Sequence, residues 1–149
     1  MQNTLTLFLH SARYDRVFQA VNLLQTACSM EWRGNLFLFY EALASFMDGG
    51  WDDINLAGGV DDGEPYQPEG IRDASPLHLL QRGFELSNTP SPYETLALAR
   101  EAGCVVCACS ASVKLLGFEP RAVKERVDEI IGLPTMLQIA GKSTHVFYL

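Results

Sequence analysis

Three apolar runs, each the length of one strand, constrain this chain more than any other feature. They are Thr4-Leu5-Thr6-Leu7-Phe8-Leu9, Asn35-Leu36-Phe37-Leu38-Phe39-Tyr40 and Cys104-Val105-Val106-Cys107-Ala108. Each is rich in aliphatic, aromatic or β-branched residues, the signature of a strand buried on both faces of a parallel sheet. Parallel neighbours need long crossovers, and the intervening segments have helical patterning. From Arg13 to Met30 the apolar residues Val17, Val21, Leu24 and Cys28 recur at steps of four, three and four, which places them on one helical face. Gly34 is read as the end of that helical pattern, so the first run, the helix and the second run make a β-α-β unit.

A short helix is expected from Glu41 to Met47. Asp48-Gly49-Gly50 and the stretch from Gly58 to Pro76 are rich in Gly, Asp, Glu and Pro and read as a loop excursion. Asp61, Asp62, Glu64 and Glu69 within it read as a solvated face. Leu77 to Leu86 reads as a helix. Ser91-Pro92-Tyr93-Glu94 then supplies a cap serine, a proline at the first helical position and a glutamate at the third, predicting a helix that stops at Gly103. Beyond the third run, Ser110-Ala111-Ser112 opens a helix that stops near Gly117, and Pro120 opens another to about Arg126. Val127 to Ile131 is a minor strand, Pro134 to Ala140 a helix closed by Gly141, and His145 to Leu149 the last strand. Alternating strands and helices predict an α/β three-layer sandwich: a mostly parallel five-stranded sheet with helices on both faces. At 149 residues and 48% hydrophobic content, the sequence fits one domain spanning 1–149, with a loop insertion at about 49–88.

The formal charge of −7 opposes binding to nucleic acid or an anionic membrane. The segment Met1-Gln2-Asn3-Thr4 lacks the cationic start of a signal peptide, and no apolar run reaches the ~20 residues of a membrane helix. A cytoplasmic location is therefore expected. Three of the four cysteines, Cys104, Cys107 and Cys109, crowd together with Cys28 apart, a pattern of free thiols rather than a disulfide framework.

Ligands of open parallel sheets bind beyond the carboxyl ends of strands, near the point where strand order reverses. Cys109 and His10 both stand at such ends. A cysteine at a helix N-terminus meets unpaired N–H groups that favour the nucleophilic thiolate, so Cys109 is the candidate reactive residue. His10 is a candidate base beside it if the first and third main strands are adjacent. Ser110 and Ser112 are candidate supporting residues. Cys107 and Cys109 share one strand face and Cys104 the other, so the thiols do not converge on a metal and no metal site is expected. Cys104 and Cys107 read as core thiols. No glycine-rich phosphate loop follows any strand, so no nucleotide cofactor is expected. Phe37, Phe39, Trp51 and Tyr66 are expected to serve partly at a subunit interface.

The N-terminal strand and long helix, the Phe-rich second strand, and Cys107-Ala108-Cys109-Ser110-Ala111-Ser112 with Leu115-Leu116-Gly117 resemble the DsrE/DsrF-like proteins. Val127 to Leu149 is similar to the ending of that family: a short strand, a last helix and a terminal strand. The likeness covers most of the chain outside about 49–88. It implies a sulfur-relay subunit that carries persulfide on Cys109, exchanges sulfur with a donor or acceptor protein, and assembles as a trimer, a hexamer or a hetero-oligomer. The sulfur would pass from a donor to the Cys109 thiolate and on to a partner thiol, which calls for an exposed sulfur. Two other functions compete. One is a non-catalytic oligomeric module that binds a small ligand or acts as a scaffold, with Cys109 only lining its pocket. The other is redox sensing, with Cys107 resolving an oxidised Cys109.

Overall fold

The computed structural model describes residues 2–53 and 76–149. Along the chain these form β1 (Thr4–Leu9), α1 (Tyr14–Ser29), β2 (Arg33–Leu38), α2 (Tyr40–Met47) and a single 3-10 turn (Gly50–Asp52). Then come α3 (Pro76–Ser87), α4 (Pro92–Glu101), β3 (Val105–Cys109), α5 (Ser110–Leu115), α6 (Pro120–Lys124), β4 (Glu129–Ile131), α7 (Leu133–Ala140) and β5 (His145–Tyr148). The five strands form one sheet in the order β4-β3-β2-β1-β5, and every pairing is parallel. The expected α/β sandwich is present. Most of the loop excursion, with its acidic residues and Tyr66, lies outside the described residues; Pro76, at its end, is the first residue of α3.

Strand alternation gives the sheet two unlike faces. One carries Leu5, Leu7, Leu9, Leu36, Leu38, Val106 and Ala108, packed against Val17, Val21 and Leu24 of α1, Leu43 of α2 and Leu96 of α4. The stripe read from the sequence is thus the buried face of α1. The other face carries Phe8, Phe37, Phe39, Cys107 and Cys109, covered by Met136 of α7. At its amino end, Asn35 Nδ2 donates to Thr6 Oγ1 (3.1 Å), which also bonds Ser143 Oγ (2.7 Å), so the buried threonine is satisfied.

The caps explain where elements stop. Ser91 Oγ accepts the Glu94 N–H (3.3 Å) while Glu94 Oε2 accepts the Ser91 N–H (2.8 Å), the reciprocal box predicted for α4. Gly103 and Gly117 take positive φ where the chain leaves α4 and α5.

Gly34 plays a different part from the one expected. α1 ends at Ser29, Glu31 makes the turn with φ of 62°, and Gly34 lies inside β2. A Cβ there would stand 2.8 Å from Leu24 Cδ1 and 3.0 Å from Cys28 Sγ, so its missing side chain is what lets α1 settle on the sheet. β2 also stops two residues earlier than expected, at Leu38, and Tyr40 already belongs to α2.

Three of the aromatics expected at an interface belong to the interior. Phe37, Phe39 and Trp51 are all buried, and the Trp51 indole N–H donates to Ala42 O (3.1 Å). Burial of such side chains stabilises the single chain by about 2–3 kcal/mol each.

Candidate functional site

Cys109 is the last residue of β3 and the residue that precedes the first turn of α5. Apolar β3 carries it to the carboxyl rim of the sheet, where Ser110 starts the helix. Its side chain falls on the aromatic face because Cys107 does, two residues earlier. There it packs with Phe8, Phe37, Phe39 and Met136, and it is 1% exposed. The exposed sulfur that a carrier calls for is therefore absent from the single chain: alternation along β3 turns the thiol under α7.

The other thiols are core residues. Burial, with Glu129 and Asp128 nearby, pushes the Cys107 thiol up to about 12. Burial also raises Cys104, reinforced by Cys28 and Asp128, and raises Cys28. These three are protonated at neutral pH. Cys107 and Cys109 share a face and Cys104 lies on the opposite one.

His10 follows β1, whereas Cys109 ends β3, and β2 lies between those strands. The adjacency on which the histidine's role depended is not met. The imidazole stacks flat on Phe39, with ring centroids 4.6 Å apart and planes at 3°. Phe39 in turn belongs to the cluster around Cys109, so an apolar ring separates the two groups. Among the described residues no hydrogen bond joins the imidazole to the thiol. The His10 backbone ties the rim together: its N–H donates to Leu149 O (2.8 Å) and its C=O accepts the Ala42 N–H (3.0 Å).

Ser112 is fully buried, and its Oγ accepts the Tyr40 N–H (3.2 Å). It anchors the β2–α2 turn to α5. Ser110 is exposed beside Gly132, at the start of α7. Cys109, Ser110 and Ser112 thus share one junction, and His10 stands apart across Phe39.

Tyr40 was missed by sequence reasoning. It holds φ of 37°, a left-handed backbone strained for a side chain of this size. It is 46% exposed, with its ring 6.2 Å from that of His10. A tyrosine at the end of an apolar run carries no signal of positive φ; glycine or asparagine would have.

A cleft of about 470 Å³ opens beside the loop after β1, lined by Arg13, Glu41, Ser45 and Asp48 among others, and neither His10 nor Cys109 lines it. Among the described residues no group of three or more His, Cys, Asp or Glu is placed to hold a metal ion. No described helix is long and apolar enough to cross a membrane.

The fold and rim define an all-parallel α/β protein with a buried cysteine at a strand-to-helix junction. Compared with protein-family models and with curated proteins, the chain matches none.

Proposed function

We propose that this chain is a DsrE-like sulfur-relay subunit of the cytoplasm that carries sulfane sulfur on Cys109 and works as a homo-oligomer. The observation that carries this reading is the position of Cys109, at the carboxyl end of a parallel strand where a helix begins. In the reaction the Cys109 thiolate attacks the terminal sulfur of a persulfide donor. A new sulfur–sulfur bond forms on Cys109, the donor's sulfur–sulfur bond breaks, and the donor leaves as a thiolate. An acceptor thiolate then takes the terminal sulfur by the same exchange and restores Cys109, with no net oxidation. Because the thiol lies under Met136 and Phe39, transfer requires α7 to move aside.

The burial of Cys109 favours a second reading, an oligomeric small-ligand-binding or scaffold module in which the cysteine is only packing. Incubation with glutathione persulfide, followed by mass spectrometry of each cysteine, separates the two. Carriage predicts one added sulfur atom on Cys109, lost in Cys109→Ser and retained in Cys107→Ser. A Cys109 that gains no sulfur in the folded protein ends the carrier reading in favour of the module.

A further inference from the structure

The two edges of the sheet are protected very differently. β4 is three residues long, carries exposed Glu129, and is preceded by Asp128, whose Oδ2 accepts the Val106 N–H (2.7 Å). A charge on a short strand is how sheet edges are kept from pairing. β5 reads His-Val-Phe-Tyr and has no such guard, with Phe147 45% and Tyr148 63% exposed.

The hydrogen bonds show which backbone groups the β5 edge offers. Leu149 N–H donates to Phe8 O (2.8 Å) and Leu149 C=O accepts the His10 N–H (2.8 Å), so both its polar groups face β1. These groups alternate direction along a strand. Phe147 and His145 therefore also face β1, and Val146 and Tyr148 turn both N–H and C=O outward.

The sheet face beside this edge is open as well. Between α1 and β5 runs an apolar groove of about 350 Å³, lined by residues that include Leu23, Thr26, Met30, Trp32, His145 and Phe147. Trp32 stacks on His145 with ring centroids 4.9 Å apart. In a chain of net charge −7, neither β5 nor the described residues that line the groove carry a carboxylate side chain. A second acidic copy meets no acidic side chain among these described residues.

We propose that β5 pairs antiparallel with β5 of a second copy, about a two-fold axis through Phe147, to make one continuous ten-stranded sheet. This register follows from the outward groups. Val146 opposes the partner's Tyr148 and Tyr148 the partner's Val146, which joins all eight outward N–H and C=O groups in four hydrogen bonds. The two Phe147 side chains then form the close, non-hydrogen-bonded pair on the groove face, where an aromatic pair adds stability. Tyr148 meets the partner's Val146 on the opposite face.

The ten groove residues with Val146 and Tyr148 supply about half of the 20–30 residues per side of a standard interface, so the dimer dissociates on dilution. A two-fold contact is also compatible with a hexamer of three such pairs and absent from a cyclic trimer. The proposal is independent of the sulfur chemistry.

Sedimentation equilibrium of the full chain over a concentration series, with amide hydrogen exchange on the same samples, tests it. The expected result is a monomer–dimer equilibrium in which the Val146 and Tyr148 amides gain protection with dimerisation. The Phe147 amide is protected throughout, because it bonds β1. Val146→Pro removes an outward N–H without touching the β1 ladder and should give a folded monomer. Phe147→Lys should do the same through charge. A wild-type chain that stays monomeric at every concentration overturns the proposal and leaves this edge to a strand from another protein. A dimer retained by both variants overturns it as well.

Discussion

The two faces of the sheet solve the same burial problem with different materials. The aliphatic face packs with residues of five helices, α1, α2, α4, α5 and α6, and its side chains are mostly leucine and valine. Among the described residues the opposite face lies under one eight-residue helix, α7, and relies on phenylalanine rings and two thiols. Rings cover more area per residue, so fewer covering residues suffice. Phe8 meets Phe37 edge-on at 5.2 Å and Tyr148 face-on at 4.6 Å, which knits strands β2, β1 and β5 together from above. The thinly covered face is also the one that holds Cys109, so among the described residues a reagent that reaches the thiol has one helix to displace instead of several.

The largest test of this contrast removes a ring. Phe37→Ala should cost about 3–5 kcal/mol in urea unfolding, and Leu36→Ala on the other face about 2–5 kcal/mol. If Phe37→Ala costs under about 1 kcal/mol, the aromatic face is not a core of the single chain. Next in size is Gly34→Ala, which drives a methyl against Leu24 and Cys28 where α1 meets β2 and should cost about 1–3 kcal/mol. Cys28→Ala in the same chain should recover part of that loss by freeing the space of the sulfur. No coupling between the two substitutions would mean that α1 is not held where Gly34 places it.

At neutral pH the contrast is silent, and in alkali it appears as a pH dependence on the thiol-bearing face. The folded Cys107 keeps its proton up to about 12, whereas its ordinary value is 9.0. The unfolded chain therefore releases that proton first as pH rises. The thiol's contribution is complete below pH 9 and is lost between about 9 and 12, at up to about 1.4 kcal/mol per pH unit. Tyr14, Tyr93, Cys28 and Cys104 are raised too and add to the same fall. Cys107→Ala should flatten the curve of melting temperature against pH over that window. An unchanged slope would show that this thiol does not titrate there.

Much of the fold was legible because the covering layers write period into the sequence. Val17, Val21, Leu24 and Cys28 announce the inner face of α1, and Ser91 with Glu94 announces the start of α4. The site was less legible, for a physical reason. Position along a strand is local, so Cys109 at the end of β3 could be read; strand order is not local, so the interposed β2 could not. The role expected of His10 depends on β1 lying beside β3, and β2 lies between them. Tyr40 carries no local signal of its positive φ, and its backbone N–H is held by Ser112 of another element. The expectation that Phe37, Phe39 and Trp51 serve partly at a subunit interface meets their burial in the single chain, because aromatic content alone does not say which surface a ring will cover.

The closure of β5 onto β1 bears on how the chain reaches this structure. Thr4 N–H donates to Thr144 Oγ1 across 140 residues, and Leu5 stands in register with His145. On a ribosome β1, α1 and β2 emerge close together and can pair early, but one flank of β1 stays bare until β5 leaves the exit tunnel. Contacts of such long sequence separation form slowly. The nascent chain thus presents an apolar strand edge from the emergence of β1 until that of β5, the interval in which a chaperone has most to protect.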